Sequence, residues 1–215
     1  MGVNKKPKIL LKVGGKTILE HVSNTLHEAG FETLNFVLGY RSSYVLRQIE
    51  KLNFKYNHII QNDLNGTAKS LIAGLSILPS DTENVLVLFG DDSGLYLSKT
   101  INDLVSQHNK NHNKATMLVL HDNRILDIGG VLADANLRLI NVLTPSQIKD
   151  LDIKNNKYNL FLLCGAFCFN TRWIKKVINK VVPSTISGEY PLPQIISIAN
   201  QTEDSVYGYK LLNLR

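Results

Sequence analysis

No run of apolar residues in this chain approaches the roughly 18 that a membrane-spanning helix requires, and nothing in it has the charged-then-apolar pattern of a secretory leader. A soluble, cytoplasmic protein with no membrane partner is therefore expected. Cysteine is nearly missing, with only Cys164 and Cys168 present. Both fall in the apolar stretch 160–170, which reads as a buried strand. Four residues apart on a strand, they share a face but stand too far apart to bridge, so both read as reduced core residues. Zinc-ligand spacing is also lacking. His108 and His112 are four apart, but the second lies past the expected end of its helix and no third ligand accompanies them. No aromatic-rich RNA motif or helix-turn-helix pattern is present, which argues against a nucleic-acid partner. There is no internal repeat, no hexapeptide pattern and no low-complexity linker. A single domain over residues 1–215 is the simplest account.

What the chain does contain is ordinary globular material: 44% hydrophobic and 20% charged residues, with a net charge of +6. The excess lies in Lys5, Lys6, Lys8, Lys12 and Lys16 near the start, and in Arg172, Lys175, Lys176 and Lys180 on one predicted helix. Such clusters either attract anionic ligands, nucleotides and sugar phosphates among them, or are solvated faces.

Through residue 110 the periodicity alternates between 3.6 residues and short apolar runs. Helices are expected over 18–29, 42–52, 67–78 and 98–108, and strands over 33–38, 58–61, 85–89 and 115–120. The run at 85–89 has no polar alternation, as expected of a parallel strand covered on both faces. Beyond residue 125 the pattern changes. A hairpin is expected over 129–143, turning at Asp134-Ala135-Asn136, followed by a polar stretch with a short helical piece over 144–159. A long strand over 160–170, helices over 171–182 and 192–200, and a last strand over 205–211 complete the chain. The alternation predicts an α/β fold with a doubly wound, mostly parallel sheet and a hairpin insertion.

Two segments point to chemistry. Gln61-Asn62-Asp63-Leu64-Asn65-Gly66-Thr67-Ala68 ends in a Gly-Thr-Ala turn that opens a helix. Val85-Leu86-Val87-Leu88-Phe89-Gly90-Asp91-Asp92 is a strand ending in Gly-Asp. The first presents backbone N–H groups to a base or a phosphate. The second places a carboxylate at the C-terminal end of a strand, where open α/β sheets bind ligands. Each also has a structural reading, as a helix start and as a turn.

The order of these pieces resembles the sugar-1-phosphate nucleotidyltransferases, and most closely the uridylyltransferase domain of bacterial N-acetylglucosamine-1-phosphate uridylyltransferases. The resemblance rests on Pro7-Lys8, Gly14-Gly15-Lys16 with His21-Val22, Gln61 with Gly66-Thr67-Ala68, and Gly90-Asp91. Gly129-Gly130, Leu163-Cys164-Gly165-Ala166 and Ser187-Gly188-Glu189-Tyr190 extend it. It implies a Rossmann-like nucleotide-diphospho-sugar transferase fold, with a nucleotide-binding half over 1–125 and a sugar-binding half over 126–215. It also implies an enzyme that transfers a nucleotidyl group from an NTP, UTP first, to a sugar-1-phosphate. By the same resemblance Lys8 is catalytic, Gln61, Gly66 and Thr67 bind the nucleotide, and Gly130, Cys164 and Glu189 bind the sugar. Asp91 holds Mg²⁺, a hard cation that prefers carboxylate oxygen.

The chain departs from the family pattern in four places. The family's first strand and its glycine-rich, triphosphate-cradling loop do not precede Pro7. Leu143 stands where a sugar-contacting Glu is usual, and Cys164 where an Asn is usual. No second metal-binding Asp follows the last strand. An impaired or truncated transferase is one expectation. A non-catalytic module that binds a nucleotide or nucleotide-sugar is the alternative.

Overall fold

The computed structural model describes residues 6–63, 65–94, 96–151 and 158–211. A 3-10 turn over Lys8–Leu10 leads into a small antiparallel hairpin, β1 (Lys12–Val13) and β2 (Lys16–Thr17), turning through Gly14 and Gly15 at positive φ. The residue pattern carries no sign of this hairpin because two-residue strands have no period. Helix α1 (Ile18–Glu28) starts where a capping box forms. Glu20 N–H donates to Thr17 Oγ1 at 3.2 Å, and Thr17 N–H donates to Glu20 Oε2 at 2.6 Å.

Strands β3 (Thr33–Leu38) and β4 (Lys55–Ile60) flank α2 (Ser42–Ile49) and pair in parallel. After α3 (Thr67–Ser76) come β5 (Asn84–Leu88), α4 (Ser98–Asn111) and β6 (Ala115–Leu120). A one-turn helix α5 (Ile125–Ile128) precedes the hairpin of β7 (Gly130–Ala133) and β8 (Leu139–Leu143). Helix α6 (Pro145–Lys149) realises the helical piece expected after the hairpin; part of that polar stretch lies outside the described residues. Strand β9 (Asn159–Asn170), α7 (Thr171–Val177), α8 (Ile195–Gln201) and β10 (Val206–Lys210) follow. The predicted helix over 171–182 is α only to Val177 and tightens to a 3-10 turn over Ile178–Lys180 before Pro183.

Twelve-residue β9 organises the main sheet, whose order is β10-β6-β9-β7-β8 with β5 also on β9. β5 and β6 both run antiparallel to β9, and so parallel to each other, while β6 and β10 pair in parallel. The sheet is thus mixed: β5, β6, β7 and β10 run one way, and β9 and β8 run the other. Among the described residues β3 and β5 each pair on one side only, and no strand joins the β3–β4 pair to the main sheet.

The single pairing of β5 shows in its burial. Its Val85 and Val87 pack with the core that holds Leu71 and Leu75 of α3, and its Leu86 and Leu88 with the core that holds Ile101 and Leu104 of α4. Both faces are therefore covered, as the apolar run predicts. All four side chains nevertheless remain half-buried, because one edge of the strand is open.

Beneath the sheet's N-terminal end sits a buried polar group. The His108 ring lies 3.1 Å from Thr116 Oγ1 through Nδ1 and 3.2 Å from Asn84 Oδ1 through Nε2, and Asn113 Nδ2 donates to the same Thr116 hydroxyl at 3.0 Å. His108 is therefore a satisfied core residue and His112 a left-handed helix end, and neither belongs to a metal cluster among the described residues. Burial lowers the His108 pKa to about 4, so the folded protein keeps the ring neutral while the unfolded chain protonates it near pH 6.5. Stability is then full above about pH 6.5 and falls as the pH drops toward about 4, where both states are protonated. The urea midpoint should decline through that window in the natural protein and stay nearly flat in His108→Gln. A decline of equal slope in the variant would assign the effect to other groups.

Candidate functional site

Two of the functional candidates, Lys8 and Asp91, meet at the C-terminal end of β5, where the chain must leave the sheet beside β9. Gly165 holds this exit from the opposite strand. Its carbonyl accepts from Phe89 N–H at 2.8 Å, and its own N–H donates to Asp92 Oδ2 at 2.6 Å. Ser93 Oγ adds a bond to Phe89 O at 2.8 Å. A Cβ at Gly165 would lie 2.6 Å from Asp92 Oδ2, so only glycine lets the loop sit this close.

With Asp92 turned onto β9, Asp91 faces outward. Lys8 reaches it from the 3-10 turn, Nζ to Oδ2 3.7 Å. The sequence-predicted catalytic lysine and metal-binding aspartate thus meet. Their side chains are 81% and 50% exposed, which makes this a loose pair open to a ligand. Ile9 lies against Gly90 and fixes Lys8 there.

Behind Asp92 stand Tyr96 and Cys164, both buried. Burial first, then the Asp92 carboxylate, pushes the Cys164 thiol up to about 12, and the same two causes raise Tyr96. Both stay protonated at neutral pH. Cys164, expected to touch sugar, is 6% exposed and forms part of the wall supporting Asp92.

The nucleotide candidates form a second group. Gly66 caps α3 at φ 99°, ψ 174° and packs against the Tyr190 backbone. Ala68 N–H donates to Tyr190 O at 2.9 Å, Tyr190 N–H to Asn65 O at 2.8 Å, and Leu192 N–H to Thr67 Oγ1 at 2.8 Å. Gln61 donates to Asp63 O and accepts from Ser70 Oγ at 2.6 Å. Its amide is engaged at both ends, so here it shapes the turn. Glu189 is exposed beside Gly66, placing this predicted sugar residue with the nucleotide group.

Gly130 opens β7 under Phe161 O, against Ile125. Nearby, the His121 ring lies 4.3 Å from the Phe161 ring and Lys210 Nζ 5.3 Å from it. Sequence reasoning missed Asp122 and Arg124, which join in a two-oxygen fork at the end of β6. Arg124 Nη2 lies 2.7 Å from Asp122 Oδ2 and Nε 3.0 Å from both oxygens. A D-x-R pair after an apolar strand was the one available signal. A hollow of about 270 Å³ between α3 and Ile178–Pro183 lies apart from Asp91.

The family model for the MobA-like NTP transferase domain matches residues 1–185. The chain belongs to the MobA-like NTP transferase family. Its relatives include the bifunctional protein GlmU of Clostridium novyi, 26% identical over 195 residues, covering 91% of this chain and 41% of that protein. GlmU of Clostridium tetani is 27% identical over 192 residues, covering 89% and 41%. The chain thus spans about two-fifths of these relatives' length. Among solved structures, UDP-glucose pyrophosphorylase complexed with UDP-glucose superposes with a TM-score of 0.75 at 14% identity, covering 95% of this chain and 83% of that one. HddC from Yersinia pseudotuberculosis complexed with GMP-PN gives 0.70 at 13%, covering 97% and 82%. These structures establish the α/β nucleotidyltransferase fold for this MobA-like domain. No described helix is long and apolar enough to cross a membrane.

Proposed function

We propose that this MobA-like domain transfers a nucleotidyl group from an NTP to a sugar-1-phosphate. A phosphate oxygen of the acceptor attacks the α-phosphorus. The new P–O bond forms as the α–β bridging P–O bond breaks, and its electron pair leaves with pyrophosphate. Such chemistry needs positioning and charge neutralisation more than covalent help. The observation that carries the reading is the Lys8–Asp91 pair presented outward at the end of β5, with Asp92 anchored behind it.

The reading gives each of these residues a role. Lys8 neutralises phosphate charge as a point cation. The backbone at Gly66 and Thr67 offers N–H groups to the nucleotide, on a turn shaped by Gln61. Gly130, packed under Phe161 O, brings the start of β7 close to the sugar, with the Cys164 wall behind, and Glu189 offers a carboxylate to hydroxyl groups. Asp91 suits Mg²⁺, since its carboxylate is half exposed and only loosely paired, and Mg²⁺ needs only one or two carboxylates besides substrate oxygens and water. When bound, the ion would offset charge developing on the phosphates.

UTP is the first donor to test, because UDP-glucose is held by a protein of this fold, and GTP the second, by the HddC complex with GMP-PN. The test is pyrophosphate release by purified protein with each NTP, a panel of hexose-1-phosphates and Mg²⁺. Release that requires both substrates supports the proposal. Stabilisation by nucleotide with no release from any pair would replace it with the non-catalytic binding module.

A further inference from the structure

The Asp122–Arg124 fork is used by none of the roles above, yet it lies near the Asp91–Asp92 loop. It rises from the end of β6, on the far side of β9 from β5 and Lys8. Arg124 is close enough to Asp92 and Cys164 for its charge to act on both. The next residue, Ile125, packs on Gly130, with Cγ2 3.3 Å from where a Cβ would be. Arg124 therefore lies toward the β7–β8 hairpin, whereas Lys8 lies at the end of β5.

We propose that Arg124 receives the phosphate of the acceptor and that Asp122 is its positioning residue. The proposal rests on the nucleotidyl-transfer reading and extends it. A transferase with two anionic substrates must hold two phosphate groups close together against their repulsion. A cation on each side of the Asp91–Asp92 loop divides that task.

The fork explains how an exposed arginine is held ready. Asp122 accepts from the Arg124 backbone N–H at 2.8 Å as well as from Nε and Nη2. These bonds hold the Asp122 carboxyl down to about 2, so the pair stays charged throughout the physiological range. Guanidinium carries five N–H donors in a plane. The fork occupies the Nε edge and, among the described residues, leaves the Nη1 side for a second planar partner. Phosphate fits that role, since arginine recognises it bidentately. Lysine at this position would keep the charge and lose the geometry.

The test compares natural protein with Arg124→Ala, Arg124→Lys, Asp122→Asn and Arg172→Ala. The last removes an exposed cation on α7 and controls for net charge. KM for the sugar-1-phosphate and KM for the NTP are measured separately, and inorganic phosphate binding is measured by calorimetry. Arg124→Ala should raise the acceptor KM and weaken phosphate binding by about 10- to 100-fold, leaving the NTP KM within about twofold. Arg124→Lys should restore only part of this, and Asp122→Asn should lie between. An unchanged acceptor KM, or a loss falling equally on both substrates, overturns the assignment. If the natural protein turns over no substrate pair, phosphate binding still decides. Loss of that binding in Arg124→Ala alone upholds the anion site without the transferase reading. Equal binding in all variants, or none in any, overturns it.

Discussion

Replacing Asp91 by alanine should abolish Mg²⁺-dependent pyrophosphate release and leave the fold intact. The stability half of this expectation follows from exposure. Asp91 is half open to solvent, and its ion pair with Lys8 is long at 3.7 Å. Such pairs contribute about 0–1 kcal/mol, so the thermal midpoint should hardly move. The activity half follows from position. Both carboxylates of the loop reach solvent, but Asp92 Oδ2 is held by Gly165 N–H at 2.6 Å, whereas Asp91 is only loosely paired. Removing a preorganised group that stabilises transition-state charge typically costs about 100- to 1,000-fold in kcat. Asp91→Asn should lose as much, since an amide keeps the shape but not the charge. Lys8→Ala should lose less, and mainly in KM for the NTP. Near-normal turnover by Asp91→Ala would sink the metal assignment, and Asp92 would become the carboxylate to test.

The elements around Asp91 were legible because they are local. The apolar run of β5, the Gly-Thr start of α3 and the 3.6-residue stripe of α1 each follow from neighbouring residues alone. The turn order Gly90-Asp91 likewise predicts a carboxylate at a strand end, which is where it lies. What escaped was decided by partners far away in sequence. Nothing within Leu160–Asn170 reveals that β9 runs against both β5 and β6, since a buried strand reads the same in either direction. Cys164 illustrates the result. Its residue type pointed to the core and its motif position to a ligand, and the pairing of β9 buries its thiol against Tyr96 and Asp92. The Asp122–Arg124 fork escaped for a related reason. Its two residues are close in sequence, but their significance comes from the nearness of Asp92 and Gly130, which only the folded chain supplies.

Gly66→Ala should be among the most damaging single-methyl changes, and for reasons that separate strain from collision. At φ 99°, ψ 174° the residue occupies a region open essentially to glycine alone, which costs a residue with a Cβ about 1–3 kcal/mol. A Cβ there would also lie 2.6 Å from Tyr190 N and 2.7 Å from Tyr190 O. These are backbone atoms, so no side-chain rotation can relieve the contact. The segments must part, and three bonds cross the seam: Ala68 N–H to Tyr190 O, Tyr190 N–H to Asn65 O, and Leu192 N–H to Thr67 Oγ1. Lys69 Nζ, 4.4 Å from the centre of the Tyr190 ring, would lose its position as well. Gly188→Ala is the matched control. Gly188 has φ 72°, and a methyl group there would meet no atom within 4 Å, so it carries strain of about 1 kcal/mol and no collision. At this chain length about 1 kcal/mol moves the thermal midpoint by roughly 2–4 °C. Gly66→Ala should exceed Gly188→Ala by at least that amount and should also lose nucleotide-induced stabilisation. Equal midpoints for the two variants would mean that the seam yields without cost. Retained nucleotide stabilisation in Gly66→Ala would remove the α3 start from the nucleotide site and leave the Asp91 loop to hold the donor alone.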